Sequence, residues 1–205
     1  MELEPAPPPC VAGLPTDTRG HVVPAEAGWV GGLPVISKVD TDRNFVHGMN
    51  RSCAVCGFRI PGRSTGYRAF AQADAAWMRQ HEQEGSHDLG RPLHLSCVLY
   101  SAIVCPYLGE KTSRLQKDST INPGARRGTR AAIIGFADFG LLVPIGPTRD
   151  ATVHFAYRQM VQDIGYRDGA ELHERLREAT ATEPLSSTPL SVASSGQTPR
   201  RTAKT

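Results

Sequence analysis

Cysteine and histidine side chains with the spacing of metal ligands are the residues of this chain best suited to chemistry. Cys53 and Cys56 stand three positions apart and precede Gly57, and His94 and Cys97 repeat that spacing further along. Zn²⁺ prefers thiolate sulfur and imidazole nitrogen in a closed tetrahedron, and a glycine after the first pair permits the tight turn that directs both thiols at one ion. The four residues therefore predict one Zn²⁺ site, to which each pair supplies two ligands.

Two further cysteines are rivals for a place in this site. Cys105 follows Cys97 by about 12 Å along a helix that rises about 1.5 Å per residue, so we interpret it as a core cysteine. Cys10 lies in a proline-rich lead-in, and an isolated cysteine in such a segment is more often not a ligand. A redox dithiol formed by the first pair alone is disfavoured, because it leaves the second pair unexplained. The remaining alternative is that the four residues are unrelated.

Short strands and helices must bring the two pairs together, and their pattern indicates an α+β fold. His94 and Cys97 fall in the first turn of a predicted helix over 93–104, where they project from one face and the helix N-terminus favours thiolate charge. Trp77 and Met78, in another predicted helix, are expected to be core contacts. Apolar spacing and turn residues predict the other elements: strands at 21–24 and 33–39, a helix over 40–50, a strand-turn-strand over 58–70, a helix over 73–84, a hairpin over 131–145 and two helical stretches within 148–179.

Composition divides the chain into four parts. It has 205 residues, five cysteines and a net charge of +3. An odd number of cysteines, the lack of a secretion signal at the start and the lack of a long apolar run predict a reducing, cytoplasmic location without a membrane anchor. We expect an irregular lead-in at 1–20, a zinc-binding core at 21–108, a basic loop, hairpin and helices packed on that core at 109–179, and a disordered, basic tail rich in Ser, Thr and Pro at 180–205.

The order of these features resembles a known class of zinc-binding domain. A knuckle at Cys53 and Cys56, a hairpin, and a helix that supplies the last two ligands are similar to a treble-clef zinc finger over residues 50–105. This resemblance implies a small, loop-rich α+β domain built around the metal.

A second resemblance is to a group of uncharacterised zinc-binding proteins of actinobacteria and their phages. It is carried by the same knuckle and by three segments, 92–97, 100–108 and, near the start, 12–20. It implies a bacterial or phage origin and a metal site, and it implies no reaction.

Four protein ligands close a zinc ion to water, whereas catalytic zinc keeps an open position. The sequence therefore predicts a structural site and a non-catalytic binding or adaptor function. The enzymatic alternative is a zinc-supported nuclease of the HNH type. His81 and His87 are its candidate residues, although a solvated helix end explains both more simply.

One basic cluster offers a contact for nucleic acid, since basic side chains near a zinc scaffold can follow a phosphate backbone. A solvated loop is the simpler interpretation, and a zinc-stabilised surface serves equally well to bind a protein. Nucleic acid and protein therefore both stay open as partners, and nothing in the sequence indicates the oligomeric state. The cluster consists of Lys111, Arg114, Lys117, Arg126, Arg127 and Arg130, and the tail adds Arg200, Arg201 and Lys204.

Overall fold

The computed structural model describes residues 5–82, 86–88, 90–111, 113, 126–142 and 153–183. This part of the chain contains both helices and antiparallel strands, which confirms the α+β prediction. The helices are α1 (Pro9–Ala12), α2 (Thr41–Met49), α3 (Gln72–Gln80), α4 (Leu95–Val104), α5 (Pro106–Gly109) and α6 (His173–Thr182), with a 3-10 turn at Gly169–Leu172. The strands are β1 (Ala27–Val30), β2 (Leu33–Val39), β3 (Gly66–Phe70), β4 (Ser86–Asp88), β5 (Ala131–Leu142) and β6 (His154–Tyr166).

A four-stranded antiparallel sheet in the order β3-β5-β6-β4 forms the centre of the fold. Two of its strands come from the predicted zinc-binding core and two from the segment after it. β5 is an inner strand, paired with β3 over 132–136 and with β6 along its whole length. Its first six residues are all buried, as expected of a strand covered on both faces.

Two predictions for the second half of the chain are wrong. The hairpin expected over 131–145 is instead the single strand β5, which runs straight through Asp138 and Gly140 because β6 pairs with it there. The first helical stretch expected within 148–179 is β6, and in the part of this segment that the structure describes, from residue 153 on, only the 3-10 turn and α6 are helical. A register shift opposite Gly135 and Phe136 interrupts the alternation of β6, so its apolar residues are not spaced as in a regular strand.

The predictions for the first half hold better. The strand at 33–39 and the helix after Asp40 are confirmed, and the carboxylate of Asp40 accepts a hydrogen bond from the N–H of Arg43, as an N-cap does. The partner of β2 is β1, however, and not a strand at 21–24. β3 pairs with β5 and not with residues 58–60, which contribute one bridge between Arg59 and Ser52.

One hydrophobic core joins the sheet, α3, α4 and α6. Met78 belongs to it as expected, but Trp77 is 43% exposed and stacks on His81 with ring centroids 4.3 Å apart. The prediction that Trp77 is a core contact is therefore wrong. The core continues into the cysteine-rich region, since Cys53, Cys56 and Cys97 pack in the same cluster.

Candidate metal centre

A tight knuckle positions the first pair of cysteines. The N–H of Cys53 donates to the carbonyl of Phe58 at 2.8 Å, and the N–H of Gly57 donates to the carbonyl of Cys53 at 3.0 Å. Gly57 has φ +75°, a left-handed conformation that favours glycine, and a Cβ there would lie 3.2 Å from the Cβ of Ala25. The glycine after Cys56 is thus needed for the turn, as the sequence predicted.

The start of α4 positions the second pair. His94 is the N-cap residue, with an extended backbone at φ −66° and ψ 156°, and Cys97 lies in the first turn. The prediction that both residues belong to the helix is therefore wrong for His94. Its carbonyl accepts the bond from the N–H of Val98 that begins the helix, and its imidazole leaves the chain just before the turn that carries Cys97.

The four predicted ligands converge on one point. One ligand atom from each of Cys53, Cys56, His94 and Cys97 lies within 4.8 Å of all the others, and all four residues are buried. Sγ of Cys56 is 3.3 Å from Nδ1 of His94, close to the separation of two ligands on one ion with bonds of about 2.0–2.3 Å. Three thiols and an imidazole at these separations can hold a metal ion.

The thiols and the imidazole also perturb one another's protonation. Burial would raise the pKa of Cys53, but hydrogen bonds with Cys56, Cys97 and His94 outweigh it and hold that pKa well below 9.0. Burial likewise opposes charge on His94, yet its hydrogen bond to Cys53 and the charge of that thiolate raise the pKa of His94 to about 9. The proximity of the two groups thus favours negative charge on Cys53 and positive charge on His94.

Cys10 lies beside the four ligands, a position that its sequence context did not indicate. Its Sγ is 3.6 Å from Sγ of Cys97, and the residue is buried. Hydrogen bonds with Cys56 and Cys97 lower the pKa of Cys10 to about 4. Cys105, by contrast, is partly exposed at the end of α4 and is not among the clustered ligands.

A second layer of polar groups surrounds the knuckle. Arg91 is 0% exposed; its Nη1 donates to the carbonyl of Ser52 at 3.1 Å, and its Nε lies 3.8 Å from a carboxylate oxygen of Glu26. Burial lowers the pKa of Arg91, while the charges of Glu26 and of the thiols at Cys53 and Cys56 raise it. The guanidinium thus supplies positive charge beside a centre rich in thiolates.

The basic residues predicted to contact nucleic acid differ in exposure and in their partners. Nζ of Lys111 is 3.1 Å from a carboxylate oxygen of Asp168. Arg127 is buried, with its guanidinium 5.0 Å from the ring centroid of Tyr166. Arg126 and Arg130 are exposed, whereas Arg114 and Lys117 lie outside the described residues.

Of the two histidines considered for a nuclease, His81 interacts with Trp77 of α3. Nδ1 of His81 bonds to the carbonyl of Trp77 at 2.8 Å, and its ring stacks on that indole. His87 lies in β4, and its side chain is outside what the structure describes. Within the described residues, the four clustered ligands form the one Cys/His/Asp/Glu group able to hold a metal.

Comparisons of the chain with protein-family models, with curated proteins and with solved structures found no match. Among the described residues, no helix is long and apolar enough to cross a membrane.

Proposed function

We propose that this chain is a non-catalytic binding module that is stabilised by one Zn²⁺ and docks a protein partner. Zinc is the metal that a buried set of three cysteines and one histidine fits best, since it takes thiolate and imidazole in a tetrahedron. The convergence of these four buried side chains is the observation that carries the proposal. Four protein ligands leave no position for water, so the ion stabilises the fold. A bacterial or phage origin, implied by the sequence resemblance, belongs to the same proposal.

The knuckle also holds the elements on either side of it. The N–H of Ala25 donates to the carbonyl of Val55, and that of Glu26 to the carbonyl of Ala54, which attaches the segment before β1 to the knuckle. On the other side, the N–H of Ser52 donates to the carbonyl of His47, which attaches the end of α2. Metal binding at the knuckle therefore orders both the β1–β2 hairpin and α2.

These two elements carry most of the large apolar side chains that the described residues expose. Leu33 is 62% and Met49 63% exposed, and aromatic residues and methionine are enriched in protein interfaces. We call this set the apolar surface, and it is the proposed docking site for a protein. The apolar surface consists of Trp29, Val30, Leu33, Val39, Phe45, Val46 and Met49.

Nucleic acid is the competing partner. Among the described residues of the basic cluster, Arg126 and Arg130 are exposed, Lys111 is exposed but paired with Asp168, and Arg127 is buried. Two arginines alone release few counterions, so the described residues by themselves support only weak phosphate binding. The apolar surface has seven exposed side chains on elements that are hydrogen-bonded to the knuckle, so we favour a protein.

Elemental analysis of purified protein tests the metal: we expect one Zn²⁺ per chain, and a ratio near zero in unchelated protein would contradict the proposal. A ratio near two would favour the nuclease alternative.

The partner is tested by affinity retention: proteins that the wild-type chain retains should no longer be retained by the double variant Trp29→Ser, Met49→Ser. The matched control is Val161→Ser, an exposed apolar residue of β6.

A gel shift on random duplex and single-stranded DNA at increasing salt tests the competing partner. Two results together would favour nucleic acid over protein as the partner. The wild-type chain would retard DNA at low salt and the double variant Arg126→Ser, Arg130→Ser would not, and the apolar-surface variant would retain proteins as the wild type does.

A further inference from the structure

The thiol of Cys10 has the position of a fifth metal ligand. Its sulfur is 3.6 Å from that of Cys97 and also contacts the thiol of Cys56. Two thiolates bound to the same Zn²⁺ by bonds of about 2.3 Å stand about 3.8 Å apart in a tetrahedron. The distance between the sulfurs of Cys10 and Cys97 is thus close to that between two ligands of one ion. Cys10 nevertheless does not belong to the group of four clustered ligands.

The segment around Cys10 is fixed against the knuckle. Val11 is fully buried, and its N–H donates to the carbonyl of Pro8 at 2.8 Å, which forms the single turn of α1. The chain then returns through a hydrogen bond from the N–H of Val23 to the carbonyl of Pro15. Two residues later, Ala25 bonds to the knuckle itself. Ordered backbone therefore holds the thiol of Cys10 beside the metal centre.

Among the four clustered ligands, His94 is the one that the surroundings support least. Its Nδ1 faces Cys56, while its buried Nε2 has no hydrogen-bond partner within the described residues. Metal-bound histidines usually donate their second nitrogen to an oxygen acceptor, which fixes the ring and strengthens the ligand. A buried N–H without an acceptor also carries a desolvation cost. His94 is consequently the ligand most easily replaced.

The charge beside the site suits an additional thiolate. Exchange of a neutral imidazole for a thiolate adds one negative charge to the centre. The buried guanidinium of Arg91 interacts favourably with the thiolates of Cys53 and Cys56, and charge interactions are strong at a buried site. Glu26 offsets part of this effect, since its carboxylate is 3.8 Å from Arg91.

We propose that Cys10 is an exchangeable fifth ligand, which completes a set of four cysteines when His94 leaves the ion. The bond between Zn²⁺ and the imidazole of His94 breaks, the released imidazole takes up the proton of the Cys10 thiol, and the sulfur of Cys10 forms the new bond to Zn²⁺. This proposal rests on the zinc site proposed above and adds a regulation of it. The segment around α1 is bound to the metal in one state and is released from it in the other.

The test compares the metal affinity of wild type, Cys10→Ser, His94→Ala and the double variant Cys10→Ser, His94→Ala with that of two further variants. Zn²⁺ affinity is measured by competition with a chromophoric chelator, and the ligand set by the visible spectrum of the Co²⁺-substituted protein. His94→Gln is a second variant at the histidine position, chosen because its amide fills the space of the imidazole and keeps the buried site packed. Cys105→Ser is the control for loss of a cysteine outside the cluster.

Cys10→Ser and each His94 variant should all bind one Zn²⁺ per chain, and the Co²⁺ spectrum of the His94 variants should show stronger sulfur-to-metal charge transfer. The double variant should bind about 100-fold more weakly than either single variant, since only the three ligands Cys53, Cys56 and Cys97 remain. If both His94 variants lose the metal as completely as the double variant, Cys10 is not a ligand and the proposal fails. Metal-free wild-type protein would instead refute the zinc site itself.

Discussion

The side chain of Glu183 is hydrogen-bonded twice to Ser96, which lies 87 residues earlier in the chain. The backbone N–H of Ser96 donates to Oε2 at 2.9 Å and its hydroxyl donates to the same oxygen at 2.6 Å, while the N–H of Leu95 donates to Oε1 at 2.7 Å. These N–H groups belong to the first turn of α4 and have no partner inside that helix. The residue that follows α6 therefore fixes the start of the helix that carries Cys97.

Replacement of Glu183 should loosen the metal centre from a distance. We expect Glu183→Ala to lower the free energy of unfolding by about 1–2 kcal/mol, as loss of a helix cap does, and to weaken Zn²⁺ binding. Urea denaturation and chelator competition measure the two effects. Glu178→Ala, an exposed substitution on α6, is the control and should leave both unchanged. Equal behaviour of the two variants would show that the cap has no influence on the site.

The ligands could be predicted from the sequence because each pair is local. Two cysteines around a tight turn, or a histidine and a cysteine at the start of a helix, converge through geometry set within a few residues. Glu183 and Cys10 could not be predicted in the same way. Their positions depend on the packing of α6 and α1 against the centre, and no short-range spacing records those contacts.

The error in β6 has a comparable cause. Phe155 and Tyr157 are buried before the register shift, and Ile164 and Tyr166 after it, so the inward-facing positions change parity. A β-bulge adds one residue to one strand and has this effect. In the sequence alone, where the partner strand is not known, the apolar residues of this segment fit a helical spacing better than an alternating one. The pairing with β5 that settles the matter is visible only in the fold.

Loss of the first cysteine of the knuckle should release the metal. Cys53 is fully buried, and its thiol hydrogen-bonds with the other three ligands. We expect Cys53→Ser to abolish Zn²⁺ binding and to unfold the region around the knuckle, because formation of such a site is coupled to folding. Elemental analysis and circular dichroism measure the two effects. Cys105→Ser should keep one Zn²⁺ and the wild-type spectrum; if it behaved like Cys53→Ser, the assignment of the ligands would be wrong.

Acid should destabilise the fold partly through His47. Burial, followed by the charges of Arg91 and Arg43, lowers the pKa of His47 from 6.5 to about 4. In the unfolded chain this imidazole takes up a proton near pH 6.5, so the stability due to its neutral form is complete above 6.5 and is lost as the pH falls towards 4. The loss amounts to about 3 kcal/mol over that window.

The variant His47→Gln isolates this effect. Protonation of the metal ligands destabilises both proteins alike, so the difference between the two pH profiles of unfolding free energy belongs to His47. Wild type should lose more stability than the variant between pH 6.5 and 4. Parallel profiles would show that His47 does not titrate in the folded protein as its burial requires.

Gly48 determines how closely α2, which carries part of the apolar surface, approaches the sheet. A Cβ at this position would lie 2.8 Å from the ring of Phe155 and 3.1 Å from Cδ1 of Leu141. Alanine favours a helix over glycine by about 1 kcal/mol, but overpacking a buried contact costs about 1–3 kcal/mol. Phe155 is buried in the core and cannot move freely, so we expect Gly48→Ala to lower the free energy of unfolding by about 1 kcal/mol in urea denaturation.

Gly140→Ala in β5, where a Cβ meets nothing within 4 Å, is the matched control and should be neutral or slightly stabilising. An increase in stability for Gly48→Ala would mean that α2 does not pack against Phe155 as tightly as the structure shows.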